Sequence, residues 1–233
     1  MSVLYLLPSY LGETSPREIF SPQVVSLIQE LKYFVAENEK SARKFIKFLC
    51  PDVKQGELSF SILDKNTAET EIEEIAQPLK EGKNIGMISE AGLPCIADPG
   101  NILVAWAHRN RVKVVPVSGA SSIILALIAS GLNGQNFVFN GYLPIDILQK
   151  KKAVQQLENL SKTQSSSQIF METPYRNQAL LNDLLKILHP QTRLCIATHI
   201  TLPDESIRTL TIQEWKKVKP DFHKKPTIFI IQA

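Results

Sequence analysis

The sequence predicts an α/β fold built as two domains, and three observations carry that expectation. Short apolar runs alternate with amphipathic segments of helical period through the first half, the pattern of a mainly parallel sheet with helices on its faces. In the second half strands come more densely, and Pro203-Asp204 suggests a hairpin, so that sheet is expected to be mixed. The 233 residues suffice for two domains of about 100 residues each. The expected division is 1–118 and 119–233, with a cleft between the domains.

The elements follow in order. Val3 to Leu7 reads as a buried strand ended by Pro8, and the loop from Ser9 to Ser21 is a candidate ligand loop. Ser21-Pro22 is a helix start, with a capping serine and proline at the first helical position. Val24, Val25, Leu27, Ile28 and Leu31 form its apolar stripe. Tyr33 to Ala36 is a second strand, followed by a helix through Ala42, Phe45, Ile46 and Leu49. Leu58 to Leu63 alternates as a third strand. Asn66 with Glu69 has the spacing of a capping box for a helix that Pro78 kinks or ends, with Gly82 a helix stop.

The central stretch is Asn84 to Gly100. Its run Ile85 to Ile88 reads as a strand, and the loop carrying Glu90, Gly92, Pro94, Asp98, Pro99 and Gly100 leads into a helix from Asn101 to about Arg109. Ligands of such folds sit beyond the carboxyl ends of parallel strands, where this loop lies. Val112 to Val117 is a further strand. The helix of about Ala120 to Ser130 is apolar nearly all round and is expected to be buried, with Gly131 closing it. Then come a strand from Phe137 to Tyr142, a helix from Pro144 to Ser161 and a solvated loop from Lys162 to Ser167. A strand (Ile169 to Glu172), a helix (Tyr175 to Leu188) and a strand (Arg193 to Thr198) follow. Ser206 to Ile212 and Thr227 to Ile231 are the last strands, with a helix near Gln213 to Val218.

Bulk properties exclude several classes. Apolar content of 44% and charged content of 21% are ordinary for a globular protein, and a net charge of +3 does not by itself announce a nucleic-acid binder. Three scattered cysteines, Cys50, Cys95 and Cys195, form neither a disulfide framework nor a metal cluster, which suits a reducing cytoplasm. The opening apolar run is too short for a signal peptide, and no stretch approaches the ~20 apolar residues of a membrane span. No GxGxxG opens the first helix and no Walker lysine follows a glycine loop, so dinucleotide and ATP chemistry are disfavoured. What remains is a set of strand-end loops: Pro8-Ser9, Glu90 to Pro94, Ser118 to Ser122, Met171-Glu172 and Ala197-Thr198. Either these are tight turns only, or they hold an amphipathic ligand through main-chain groups.

Several of these residues carry a resemblance. Glu90-Ala91-Gly92-Leu93-Pro94 with Asp98-Pro99-Gly100 resembles the S-D-A-G-T-P…D-P-G signature of the tetrapyrrole methylase superfamily. The nearest branch is the one that methylates a cytidine 2′-hydroxyl of 16S ribosomal RNA, and the likeness is collinear. Leu4 to Pro8 resembles L-Y-x-V-P, Ala36 to Lys40 lies where that branch has A-E-D-T-R, and Asp64 to Asn66 resembles H-D-H-N. Val114 to Ala120 stands for V-V-P-L-P-G-P, Phe139 to Pro144 resembles F-x-G-F-L-P, and Glu172 to Arg176 resembles E-S-T-H-R. The sequence departs at Glu90 (aspartate in the family), Asn38 and Lys40 (aspartate and arginine), Ser118 and Ala120 (prolines), and Leu11 to Thr14 (I-G-N-L).

The resemblance implies S-adenosylmethionine bound between two α/β domains, a homodimer, no metal, and ribosomal RNA or the small ribosomal subunit as substrate. Carried over by position, the cofactor contacts are Pro8, Glu90, Leu93, Ser121, Ser122, Met171, Ala197 and Thr227. Glu37, the retained acid at a strand end, is the candidate to accept the proton of a ribose hydroxyl; the alternative is a helix-start carboxylate at a favourable dipole end. Lys40, Arg43, Lys44 and Lys47 lie on or beside one helix as a candidate phosphate-contacting stripe, with Lys150, Lys151 and Lys152 a second cluster; a solvated face is the alternative. Two other functions stay open. One is a methyltransferase acting on a tetrapyrrole or other small molecule, although the G-x-G-P-G-D run of those branches is missing. The other is a non-catalytic domain that binds the methyl donor.

Overall fold

A computed structural model of the chain describes residues 2–12 and 17–233. Glu13, Thr14 and Pro16 of the expected ligand loop lie outside the described residues. The chain divides into two compact units, Met1–Ser121 and Ser122–Ala233. The expected classes hold: a parallel sheet in the first unit and a mixed sheet in the second.

The first unit contains β1 (Val3–Leu7), α1 (Pro22–Glu30), β2 (Tyr33–Ala36), α2 (Glu39–Leu49), β3 (Ser59–Ile62), α3 (Ile72–Ile75), α4 (Gln77–Lys80), β4 (Ile85–Ile88), α5 (Asn101–Arg109) and β5 (Lys113–Pro116). Its strand order is β3-β2-β4-β1-β5, every pair parallel. Alternation along the strands feeds two cores. Leu7, Phe34 and Ile88 pack with Val24, Ile28, Phe45 and Ile46 of α1 and α2. Leu4, Val35, Ile85 and Met87 pack with Ile72, Ile75, Leu79, Leu103 and Trp106 of α3, α4 and α5. A sheet covered on both faces requires strands that are apolar throughout, as β4 is.

Local chemistry departs from expectation in two places here. Ser21 precedes α1 but makes no side-chain cap, and its buried hydroxyl lacks a partner among the described residues; Pro22 alone sets the start. Asn66 does not cap a helix either. The Asp64 carboxylate accepts the Asn66 and Thr67 amides, a turn that uses up the local donors. The helix entry shifts onward, where the Glu71 carboxylate accepts the Ala68 amide.

The second unit contains α6 (Ser122–Ser130), β6 (Phe137–Tyr142), α7 (Ile147–Gln164), β7 (Ser167–Met171), α8 (Asn177–Ile187), β8 (Arg193–Thr198), β9 (Ser206–Thr211), α9 (Ile212–Trp215) and β10 (Thr227–Gln232). Its order is β6-β7-β10-β8-β9. Only β6 and β7 run parallel; β10 is antiparallel to both neighbours, and β8 and β9 form the expected hairpin. Phe170, Phe229, Leu194 and Ile196 pack with Val154, Leu157, Leu180, Leu184 and Trp215 of α7, α8 and α9.

Helix α6 is not buried all round. Ile123, Ala126 and Leu127 are inside, but Ile128 is 72% exposed. Helix α7 begins later than expected because Asp146 caps it, accepting the Gln149 amide at 2.9 Å. It ends at Gln164, where Ser165 turns left-handed, so no solvated loop spans 162–167; Ser166 and Ser167 are buried.

Candidate active site

Because all five strands of the first sheet are parallel, their carboxyl ends gather at one edge. Pro8 and Ser9 leave β1 there, Glu37 leaves β2, Ser89 to Gly100 leave β4, and Val117 to Ser121 leave β5. The loops are tied to one another. The Ser9 amide donates to the Gly92 carbonyl at 2.9 Å. The buried Ser89 hydroxyl donates to the same carbonyl at 2.7 Å. The buried Ser9 and Ser89 hydroxyls lie 3.4 Å apart.

Small residues permit this crowding. A Cβ at Gly119 would stand 2.2 Å from the Pro8 Cβ, so the β5 exit can lie against the β1 exit only as glycine. Gly92 adopts φ +74°, and a Cβ there would stand 3.0 Å from Leu11. Farther along the same loop, Cys95 and Ala97 hold φ of 67° and 58° without being glycine. Strain of this kind persists where surrounding structure over-determines it, and it clusters at functional sites.

Three carboxylates meet at this edge. Glu37 and Asp98 line one small cavity with Val35, Met87, Ile88 and Gly100. Burial raises the Asp98 carboxyl to a pKa of about 6, and the nearby charges of Glu37 and Glu90 add to the rise. Asp98 is therefore partly protonated near neutrality. Burial and the Asp98 charge together push the Cys95 thiol up to about 11, so it is not a nucleophile. Among the described residues no group of three or more His, Cys, Asp or Glu could hold a metal ion.

The structure places the named cofactor residues as follows. Pro8 is buried and Leu93 half-buried, Glu90 is exposed, Ser121 is buried at the end of the β5 loop, and Ser122 opens α6. In the second unit Met171, Ala197 and Thr227 fall on three adjacent strands. Ile228 of β10 sits opposite Met171 on one side and Ala197 on the other, and the Thr227 and Thr198 hydroxyls are 3.3 Å apart. Just past β7, the Glu172 carboxylate is 2% exposed and accepts both the Thr173 amide and the Arg176 guanidinium, the latter at 2.6 Å.

The basic residues fall into distinct environments. Lys40, Lys44 and Lys47 are exposed on α2. Arg43 is engaged inward: it pairs with Glu39 at 2.7 Å, donates to the Gln55 and Leu58 carbonyls, and lies 4.5 Å above the Phe60 ring. Lys150 is 8% exposed and paired with Asp183 of α8 at 2.9 Å, which leaves Lys151 and Lys152 of that cluster exposed. Sequence reasoning passed over a third basic segment, 216–225, which holds five lysines and one aspartate. It passed over the role of Asp98 as well. Lysine density flags the first, but the closeness of Glu37 and Asp98 exists only through the β2–β4 pairing.

A parallel sheet followed in the chain by a mixed sheet is the two-sheet α/β architecture of solved methyltransferases. A family model of tetrapyrrole (corrin/porphyrin) methylases matches residues 17–216, and the chain belongs to that family. It is similar to the ribosomal RNA small subunit methyltransferase I of Synechocystis sp., at 30% identity over 91% of this chain and 72% of that one. It is also similar to the enzyme of the same name from Buchnera aphidicola subsp. Acyrthosiphon pisum, at 27% over 100% and 79%. In fold it matches the crystal structure of the methyltransferase CobJ, with a TM-score of 0.62 at 15% identity, covering 100% of this chain and 93% of that one.

Proposed function

We propose that this methyltransferase takes its methyl group from S-adenosylmethionine and delivers it to a ribose 2′-hydroxyl of 16S ribosomal RNA, as a homodimer in the cytoplasm. The observation that carries the reading is collinear similarity, over nine-tenths of the chain or more, to proteins named for the small ribosomal subunit RNA.

The residues present suit the donor. It carries an ammonium and a sulfonium, and the exposed Glu90 carboxylate, with Asp98 near it, offers them an acidic neighbour at the carboxyl edge of the first sheet. Pro8, Glu90, Leu93, Ser121, Ser122, Met171, Ala197 and Thr227 are the proposed cofactor contacts. The donor supplies an already activated methyl group, so the chain's own task is alignment of the acceptor and removal of its proton. Glu37, half-buried beside Asp98, takes that proton. Lys40, Lys44 and Lys47 face the phosphates, whereas Arg43 serves the fold. Tyr142, Ile145, Ile147 and Leu148 are 57% to 72% exposed and offer a second copy an apolar face.

The test is transfer of labelled methyl to small ribosomal subunits from cells lacking the gene, run beside tetrapyrrole acceptors. Label in the ribosomal RNA at a ribose is the expected result. Label in the tetrapyrrole alone overturns the acceptor. No heat of binding with S-adenosylmethionine or its demethylated product overturns the donor as well.

A further inference from the structure

The second unit has a surface that the proposed chemistry does not use. Tyr175 follows Pro174 in the single turn before α8, and its side chain is 75% exposed. Among the described residues this ring is largely open to solvent. Lys224 adopts a left-handed φ of 60°, a conformation costly for lysine, and its Nζ stands 5.9 Å from the centre of the Tyr175 ring.

Lys224 belongs to the segment 216–225. Among the described residues Lys216, Lys217, Lys219 and Lys224 have no ion-pair partner, whereas Lys225 is paired with Asp204 and Asp221. The other end of the segment borders a groove of about 180 Å3. Lys219 and Arg208 line it together with Thr198, Ser206, Trp215 and one carboxylate, Asp221, which pairs with Lys225 at 3.7 Å. The Arg208 guanidinium lies 6.0 Å from the centre of that ring. One short segment therefore connects a groove that carries two cations, Lys219 and Arg208, and one carboxylate, Asp221, to an exposed, cation-flanked ring.

We infer that Tyr175 is a stacking platform for an unpaired base of single-stranded RNA, with Lys224, Lys219 and Arg208 receiving the phosphates beside it. This rests on the reading of the substrate as RNA and adds the residues that hold the strand. Unpaired bases stack on exposed aromatic side chains, and a positively charged groove tracks the backbone. An acidic peptide would satisfy the lysines but leave the ring unused. Duplex RNA would keep its bases stacked on one another and away from the ring.

The test uses the full chain and a labelled single-stranded RNA of mixed sequence, about 12 nucleotides long, with affinity read by anisotropy. Tyr175→Ala is expected to bind about tenfold or more weakly, with unchanged thermal unfolding and unchanged affinity for the methyl donor. Tyr175→Phe should bind like the parent. Tyr175→Trp should bind as well, and its fluorescence should be quenched as the base stacks. Lys224→Gln and Lys219→Gln should each lower the slope of log affinity against log salt by about 0.7.

If the parent methylates small subunits but Tyr175→Ala and Lys224→Gln bind the RNA as the parent does, the platform is overturned and the substrate reading stands. The platform is likewise overturned if duplex RNA binds as well as the single strand, or if polyglutamate displaces the RNA at equal concentration. If the parent neither binds the RNA nor methylates subunits, the substrate reading falls and the platform with it. Should Tyr175→Ala unfold, quenching in Tyr175→Trp decides: no quenching at saturating RNA overturns the proposal.

Discussion

The amide of Ser9 donates to the carbonyl of Gly92, binding the exit of the first strand to the loop after the fourth. These residues are distant in sequence, and the bond exists because β1 and β4 pair in parallel and end together. The same geometry brings Gly119 against Pro8. Gly119→Ala therefore forces two carbons to 2.2 Å unless the backbone moves, and the Pro8 ring cannot rotate away. The expected cost is about 1–3 kcal/mol, read from urea denaturation. Gly134→Ala is the control, since nothing lies within 4 Å of its added carbon; it should stay within about 0.5 kcal/mol. Equal effects of the two would deny the close approach.

Asp98 provides a pH-dependent signature. Its carboxyl titrates near 3.8 when unfolded and near 6 when folded, first through burial and then through Glu37 and Glu90. A raised acid binds its proton more tightly in the folded state. Its stabilising contribution is thus fully present below 3.8 and is lost as pH rises through about 6. Asp98→Asn keeps the shape without the ionisation. Relative to the parent, this variant should gain melting temperature as pH rises from below 3.8 to above 6, and the difference should then level off. Other carboxylates, such as Asp64 and Asp204, have lowered pKa values and oppose this trend. The difference between variant and parent, measured across the range, therefore isolates Asp98. A difference that stays constant with pH removes the coupling.

Glu37→Gln tests the proton acceptor. The amide preserves size but cannot take the hydroxyl proton, so turnover is expected to fall by about 10²–10⁴-fold. Donor affinity by calorimetry should hold. Normal turnover assigns Glu37 to the α2 start alone, and lost donor affinity makes it a binding group.

Much of the fold is legible in the amino-acid order. The runs ending at Pro8 and in the Glu90 loop are apolar throughout, as strands covered on both faces must be, so β1 and β4 can be read directly. Periodicity fails where it carries no direction. Helix α6 is apolar on nearly every side, so nothing in its pattern marks Ile128 as the exposed position. Asn66 has cap spacing, but Asp64 captures the turn first. The strand-end loops of the site can be named from the sequence. Their mutual bonds cannot, because the Ser9–Gly92 tie and the Glu37–Asp98 neighbourhood both depend on which strands pair.

Arg43 shows the same limit in reverse and leads to a prediction that separates fold from function. Its helical neighbours suggest a phosphate-binding stripe, yet its guanidinium bonds to Glu39 and to two backbone carbonyls, those of Gln55 and Leu58, with its plane over Phe60. Removing it leaves those carbonyls without that donor and uncovers the ring. Arg43→Ala is expected to cost about 1–3 kcal/mol, and Arg43→Lys should recover only part, since an ammonium lacks the planar fork that reaches three acceptors. Lys40→Ala and Lys47→Ala, both at exposed positions, should stay within about 0.5 kcal/mol while lowering the salt dependence of RNA binding. Urea denaturation and salt titration on the same four variants read both properties. If Arg43→Ala keeps full stability but lowers the salt slope, the arginine belongs with the lysines after all.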